Sequence, residues 1–398
     1  MAHSDKASLQ QSESRVRGQA SPTRRKAVPP HLWIVIGVMS VFWFALGSRI
    51  VPQAKQHDFL NLYSGGTLAL RGPLQQIYLP EVQFATERKL VPKLPELVPF
   101  VRPPFYAFAL TALAAIPYRV AFAVWLVLQI TVYIAVLVWA KSRWGPDALL
   151  FGAMFLPAAL GIASGQDCVF MLAIVAGLIA LQDRGRETAA GAVLALGLIK
   201  FHLFVVWPLV LLIQKRWRMS AAAALVVGGE LLLSLLLVGP AGLTNYIALL
   251  RNPNIERLSP SPELMINIHS LALNVGMNRL SVRLALVVLV VALALVSSLR
   301  APFRRAVVAA SIASLLVSPH VYGYDAALVF PSLCFVLFES QSLALKAFAV
   351  LLCSPVPYLL NLAGSPWSVA TPLCLFCLLA LLARRQLMLH FAAAVRTS

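Results

Sequence analysis

The chain predicts an all-α, polytopic integral membrane protein with about twelve spans. Three observations carry this. Hydrophobic residues fill 60% of the 398 positions, only 12% are charged, and the mean hydropathy is +0.80. Apolar runs of roughly 17 to 25 residues recur, the length a helix needs to cross hydrocarbon while satisfying its own backbone. Lys and Arg gather in the short stretches between runs, as the positive-inside rule expects. The net charge of +18 belongs to those loops. No basic, aromatic-interleaved domain outside the membrane exists to bind nucleic acid.

Residues 1–30 are polar and end in Pro29-Pro30, with six Lys/Arg against two Asp/Glu. They read as a disordered cytoplasmic tail rather than a cleaved signal peptide. The membrane domain then covers 31–385, and 386–398 is a second cytoplasmic tail. The first run, near 32–51, exits, so that 52–102 is external. Leu60, Leu62, Tyr63, Leu68 and Leu70 allow an interfacial amphipathic helix there, and a second short helix fits about 81–90. Pro92, Pro95, Pro99, Pro103 and Pro104 steer the chain back.

Further runs lie near 103–117, 120–140, 147–164, 168–182, 188–213 and 219–238. A second external segment, about 240–278, precedes runs near 281–299, 306–318, 324–338, 343–362 and 367–383. Twelve crossings return the C-terminus to the inside, in accord with Arg384 and Arg385. Simple alternation puts Lys141, Arg143, Arg184 and Arg186 outside, against the charge rule. A re-entrant 147–164 together with a break of 188–213 at Lys200 moves Arg184 and Arg186 inside, and Gln166 and Lys200 outside. Cys168, Cys334, Cys353, Cys374 and Cys377 all sit in apolar runs and read as small buried hydrophobes.

Ionisable groups in such a chain are costly and mark function by default. His57 and Asp58 open the first external segment. Arg102 precedes Pro103-Pro104. Gln166 and Asp167 sit between runs, and Lys200 and His202 interrupt one. Ser318-Pro319-His320-Val321-Tyr322-Gly323-Tyr324-Asp325 marks an outer boundary, and Glu230 is mid-span. Each has a bland alternative: capping, snorkelling, interfacial anchoring or pairing with a neighbouring helix. Their convergence on one membrane face suits one chemistry. A carboxylate takes a proton from an acceptor hydroxyl, while Lys, Arg and His hold a departing phosphate.

A set of short motifs runs in order: His57-Asp58-Phe59, Tyr63, Gly65, Leu70-Arg71-Gly72 and Ile77-Tyr78; Arg102-Pro103-Pro104-Phe105 and Ile116-Pro117; Gly165-Gln166; Ala190-Gly191 and Leu198-Ile199-Lys200; Asn267, Ser270-Leu271; Ser318-Pro319-His320. On these the chain resembles the GT-C glycosyltransferases that use polyprenyl-phosphate sugars, in particular glycosyltransferase family 87. The resemblance implies a GT-C-type fold, with Asp58 as catalytic residue and Lys200, His320 and Arg102 at the donor phosphate. His57, Tyr63, Gln166, Asn267, His269 and Tyr322 become possible substrate contacts. In departure, Asp167-Cys168 follows Gln166 and brings a negative charge near the implied phosphate site.

The resemblance implies an enzyme of the inner membrane with its site on the extracytoplasmic face. A hexose, mannose first among them, would pass from a polyprenyl monophosphate to a glycan or glycolipid acceptor by an inverting displacement. Membrane lipids would surround it. The donor is a substrate, so no cofactor is expected. No paired-carboxylate motif demands a metal, and a loop-borne divalent ion stays open. The alternatives are a transporter or flippase of lipid-linked sugar, for which Glu230 and Lys200 speak although repeats are absent, and a structural membrane subunit.

Overall fold

The computed structural model describes residues 57–252, 261–277 and 279–397. The tail at 1–30, the first apolar run and the His57 side chain lie outside the described residues. The described chain is helical throughout, with no strand among those residues.

The first external segment is a small helical platform. Helix α1 (His57–Arg71) packs on α2 (Pro80–Leu90) and on two short helices, α3 (Pro104–Ala109) and α4 (Thr111–Ala114). Buried Glu87 ties it together, accepting the Val98 N–H (3.0 Å) and the Ser64 hydroxyl (3.5 Å). Burial pushes the Glu87 pKa up to about 7. The stretch 103–117, expected to be a span, does not cross. Its ten helical residues come in two pieces, about 15 Å in total, half of what hydrocarbon requires. The Tyr63 hydroxyl donates to the Ile116 carbonyl (2.8 Å), so the chain leaves this stretch beside α1, where it entered.

Helix α5 (Tyr118–Trp144) then runs the full thickness, about 40 Å. Its first residue packs its ring against Phe59 of α1 and its last bonds to Glu339. The pair α6 (Asp147–Met154) and α7 (Leu156–Ser164) returns with a 50° bend at Phe155, just before Pro157. Helix α8 (Cys168–Asp183) goes back down. Helix α9 (Glu187–Ala195) continues as a 3₁₀ segment, Leu196–Phe204, broken at Lys200 (φ −125°, ψ 59°), and α10 (Trp207–Ile213) turns back. Glu187 and Arg216 form an ion pair, so this segment ends on the side where it began. The Lys200 break is therefore the tip of a re-entrant arm.

Helix α11 (Trp217–Leu250) kinks at Gly239-Pro240 and leans over the platform, with Asn245 donating to the Gln75 carbonyl (2.9 Å). Close contact between α9 and α11 needs Gly191, because a Cβ there would meet the Met219 carbonyl oxygen at 2.2 Å. Helices α12 (Ile268–Asn274), α13 (Leu280–Ser298), α14 (Phe303–Val317), α15 (Phe330–Glu339), α16 (Leu343–Cys353), α17 (Val356–Leu362) and α18 (Ala370–Thr397) complete the bundle. The core lies around α8 and α14, most of whose residues are buried, while Leu225, Leu236 and Val288 of α11 and α13 face outward at 79%, 73% and 68% exposure. Such apolar exposure is stable against lipid.

Among the described residues, five helices are long and apolar enough to cross a membrane, or seven if each bent pair counts once, against the twelve spans expected. The first run, near 32–51, lies outside the described residues, 103–117 folds as two short helices, and one of the five, Glu187–Phe204, is the arm broken at Lys200. The two ends of the bundle differ in charge. Arg143, Asp183, Arg304 and Glu339 form one network (2.7–3.5 Å) that draws together the ends of α5, α8, α14 and α15. Gln214 reaches the Ala301 carbonyl (3.1 Å) and Arg385 the Ser340 hydroxyl (3.2 Å) beside them. Arg143, Arg184 and Arg186 thus share a face with Arg304, and the platform lies at the other. Gln75→Cys and Arg300→Cys should therefore label from opposite sides of a sealed vesicle with an impermeant thiol reagent. Labelling of both from one side would contradict this arrangement.

Candidate active site

The platform and the bundle meet at a cluster of charged groups. Each is delivered by a local device. The N-terminus of α1 presents Asp58. The Tyr78 hydroxyl donates to the Arg102 carbonyl (2.7 Å), and Gln83 takes the Phe100 N–H (2.9 Å), so the Ile77-Tyr78 motif and Gln83 hold the loop that carries Arg102. Helix α7 ends in a Schellman turn: Gln166 N–H donates to the Gly161 carbonyl (2.9 Å) and Gly165 N–H to Ile162 (3.1 Å), with Gly165 at φ +74°. A Cβ at Gly165 would also meet Phe59 at 2.8 Å. Glycine thus lets this turn touch α1 and sets Gln166 beside Asp58.

The cluster is almost dry. Lys200, Asp167, Asp325, Arg102 and Gln166 are all buried. Arg102 grips Asp167 with two hydrogen bonds (Nε–Oδ2 2.9 Å, Nη2–Oδ1 3.0 Å). Lys200 Nζ lies 3.1 Å from Asp167 Oδ1, 2.6 Å from Asp325 Oδ1 and 3.3 Å from Gln166 Oε1. Arg102 Nη2 also donates to Gln166 Oε1 (3.4 Å). Asp325 Oδ2 accepts the Tyr322 N–H (3.1 Å), which caps the 3₁₀ turn Gly323–Val329. Two cations and two carboxylates compensate each other, as buried charge requires.

Asp58 stands apart from that balance. Among the described residues it has no ion-pair partner, and it is half-buried at the edge of the cluster. It meets the Gln166 amide and feels Lys200, Arg102 and Asp325. Burial pushes its pKa up to about 6, with the Gln166 hydrogen bond and Lys200 pulling the other way. His320 and Tyr322, rings 5.1 Å apart, keep solvent-facing surface on the same side. Burial among these groups lowers the His320 pKa, and Lys200 and Arg102 add to that against the pull of Asp325.

Asp58, Arg102, Gln166, Lys200, His320 and Tyr322 therefore lie together. Three other predicted residues have different surroundings. The Tyr63 hydroxyl is used on Ile116 and its ring packs edge-on against Tyr118. Asn267 caps α12 through Ser270 (2.8 Å) and donates to the Ser318 carbonyl (2.9 Å), so it supports the His320 loop. His269 contacts Arg283. Sequence reasoning left Asp325 and Tyr324 out of the site, and treated Asp167 as an intruder. One signal pointed to them: a lysine buried in a membrane protein calls for carboxylate partners. Among the described residues no group of three or more His, Cys, Asp or Glu is placed to hold a metal ion.

A helical membrane protein with a half-open carboxylate against a dry, charge-balanced cluster is built as a membrane enzyme. Residues 100–319 match the sequence model of glycosyltransferase family 87, more than half of the chain. The chain belongs to that family and is a membrane glycosyltransferase, with a sugar donor and an acceptor as substrates. The matched stretch includes Arg102, Gln166 and Lys200, stops one residue before His320, and begins after Asp58. No curated protein and no solved structure matches the chain.

The cluster makes a stability prediction. Lys200→Met leaves Asp325 buried without its cation and should cost about 3–5 kcal/mol. Lys200→Met/Asp325→Asn removes the stranded charge and should recover most of the loss. Thermal unfolding of the purified variants in one detergent reads both, and a Lys200→Met protein as stable as wild type would refute the assignment.

Proposed function

We propose that the enzyme transfers a hexose, mannose first among the candidates, from a polyprenyl-monophosphate sugar to a glycan or glycolipid acceptor. Asp58 is the general base. The acceptor hydroxyl attacks the anomeric carbon, its proton passes to Asp58, and the sugar–phosphate bond breaks from the opposite face with inversion. The observation that carries this reading is Asp58 itself: a half-buried carboxylate at the edge of the cluster that no cation pairs with among the described residues. A pKa near 6 leaves it ionised at pH 7 yet more basic than an exposed aspartate.

The Lys/Arg-rich end is the cytoplasmic one by the positive-inside rule, which puts Asp58 on the extracytoplasmic side. A donor carried by membrane lipid suits a site at that depth. The leaving phosphate meets His320. Lys200 and Arg102 stabilise it through the field of the cluster, and bind it directly only by exchanging Asp325 or Asp167 for a phosphate oxygen.

Transfer of labelled sugar from a polyprenyl-phosphate donor tests this. Asp58→Asn should keep folding and lower turnover roughly 10²–10⁴-fold, and Asp58→Glu should rescue only in part. In the wild type, activity should fall about tenfold per pH unit below about pH 6, because protonated Asp58 accepts no proton. His320→Ala should raise the donor KM and leave the acceptor KM nearly unchanged. An Asp58→Asn enzyme within a few-fold of wild type would overturn the mechanism.

A further inference from the structure

A side-chain amide has one acceptor end and one donor end, and its neighbours decide which way it points. Lys200 Nζ and Arg102 Nη2 approach Gln166 at 3.3 and 3.4 Å, and both can only donate. The carbonyl oxygen must face them. The NH2 group therefore faces the Tyr324 hydroxyl, 3.4 Å away. An NH2 group only donates, so the Tyr324 oxygen accepts and its own proton must leave in another direction. Among the described residues the Tyr324 hydroxyl donates to none, Asp58 included.

The surroundings of Tyr324 say what that proton suits. Lys200, Arg102 and Gln166 are only 3%, 8% and 6% exposed, and the two cations are fastened to Asp325 and Asp167 at 2.6 to 3.1 Å. Tyr324 keeps part of its surface. Its ring lies 5.5 Å from Lys200 Nζ on one hand and 5.9 Å from the Tyr322 ring on the other, and Tyr322 lies 5.1 Å from His320. Three rings thus lead from the exposed imidazole to the buried ammonium. The turn is held in place, because Asp325 bonds both to Lys200 (2.6 Å) and to the Tyr322 N–H (3.1 Å). A cation near the ring and a donor on the oxygen both draw charge from the hydroxyl, which makes it a stronger donor. Such a donor gains most from an anionic acceptor.

We infer that the Tyr324 hydroxyl donates a hydrogen bond to a phosphate oxygen of the lipid-linked donor, and that Gln166, locked by Lys200 and Arg102, sets the direction of that bond. No proton is transferred. The cations, closed off by their carboxylates, act on the phosphate through the amide and the phenol. This rests on the polyprenyl-phosphate reading above and extends its phosphate site from His320 to Tyr324.

The test uses the full-length protein in lipid nanodiscs and measures equilibrium binding of two labelled probes of one chain length, a polyprenyl monophosphate and the matching polyprenol. The wild type should prefer the phosphate. Tyr324→Phe removes one oxygen and keeps the ring beside Lys200. It should weaken phosphate binding about 10- to 100-fold, the worth of a hydrogen bond to a charged group, and change polyprenol binding less than about twofold. Gln166→Glu turns the donating end into an acceptor that draws the Tyr324 proton to itself. It should weaken phosphate binding by a similar factor, yet add little in a Tyr324→Phe background, whereas simple repulsion by the new charge would persist there. In sugar transfer Tyr324→Phe should lower kcat, because the bond strengthens as the leaving phosphate gains charge.

A lost phosphate preference in Tyr324→Phe, with little further loss from Gln166→Glu, supports the proposal. An unchanged preference in Tyr324→Phe, an equal loss of polyprenol binding, or a full further loss from Gln166→Glu overturns it and leaves the polyprenyl-phosphate reading standing. So does a wild-type preference in Gln166→Glu, a readout that serves even where Tyr324→Phe is unstable. A wild type that binds both probes alike overturns that reading and the proposal with it.

Discussion

The ion cluster at Lys200 is the constraint on which the rest depends. A lysine ammonium in a nearly dry place is tolerable only with anions against it. Asp325 and Asp167 supply them from two different parts of the chain, and Arg102 balances the second. The four residues come from the external platform, the turn after α7, the re-entrant arm and the turn after α14. Their mutual requirement holds these segments together. A bundle in lipid has no hydrophobic drive between its helices, so polar contacts of this kind carry more of the assembly than they would in water.

Around the cluster the helices are broken in the places where a functional site needs irregular backbone. The α7 turn at Gly165, the non-helical residue at Lys200 and the segment from Ser318 to Asp325 all fall at the cluster. Uncapped backbone at membrane depth is stable only when protein satisfies it. Here it does: Asn267 takes the Ser318 carbonyl, Ile266 N–H reaches Val321, and Trp125 and Gln129 serve Gly165 and Gln166. Several motif residues thus support the backbone around the cluster.

The same balance shapes the chemistry. A site with free cations would bind phosphate tightly and release it slowly. Here the cations are compensated, and the excess charge is the negative one on Asp58. Under the function proposed above, such a site suits proton abstraction by Asp58 more than tight capture of an anion.

From its sequence alone this chain declared its class, its helical architecture and most of the residues that meet at the site. Hydropathy and Lys/Arg placement are local properties, and hydrocarbon imposes them segment by segment. The break at Lys200 was legible because a charge interrupts an apolar run. Only the tertiary structure decided that 103–117 turns back instead of crossing, because run composition does not report where a helix stops. It also decided who pairs with whom. Asp167 and Asp325 lie far from Arg102 and Lys200 along the chain, and no local pattern couples them. The roles of Tyr63 and Asn267 likewise depended on which carbonyl each side chain reached, a matter of distance in space that spacing along the chain does not carry.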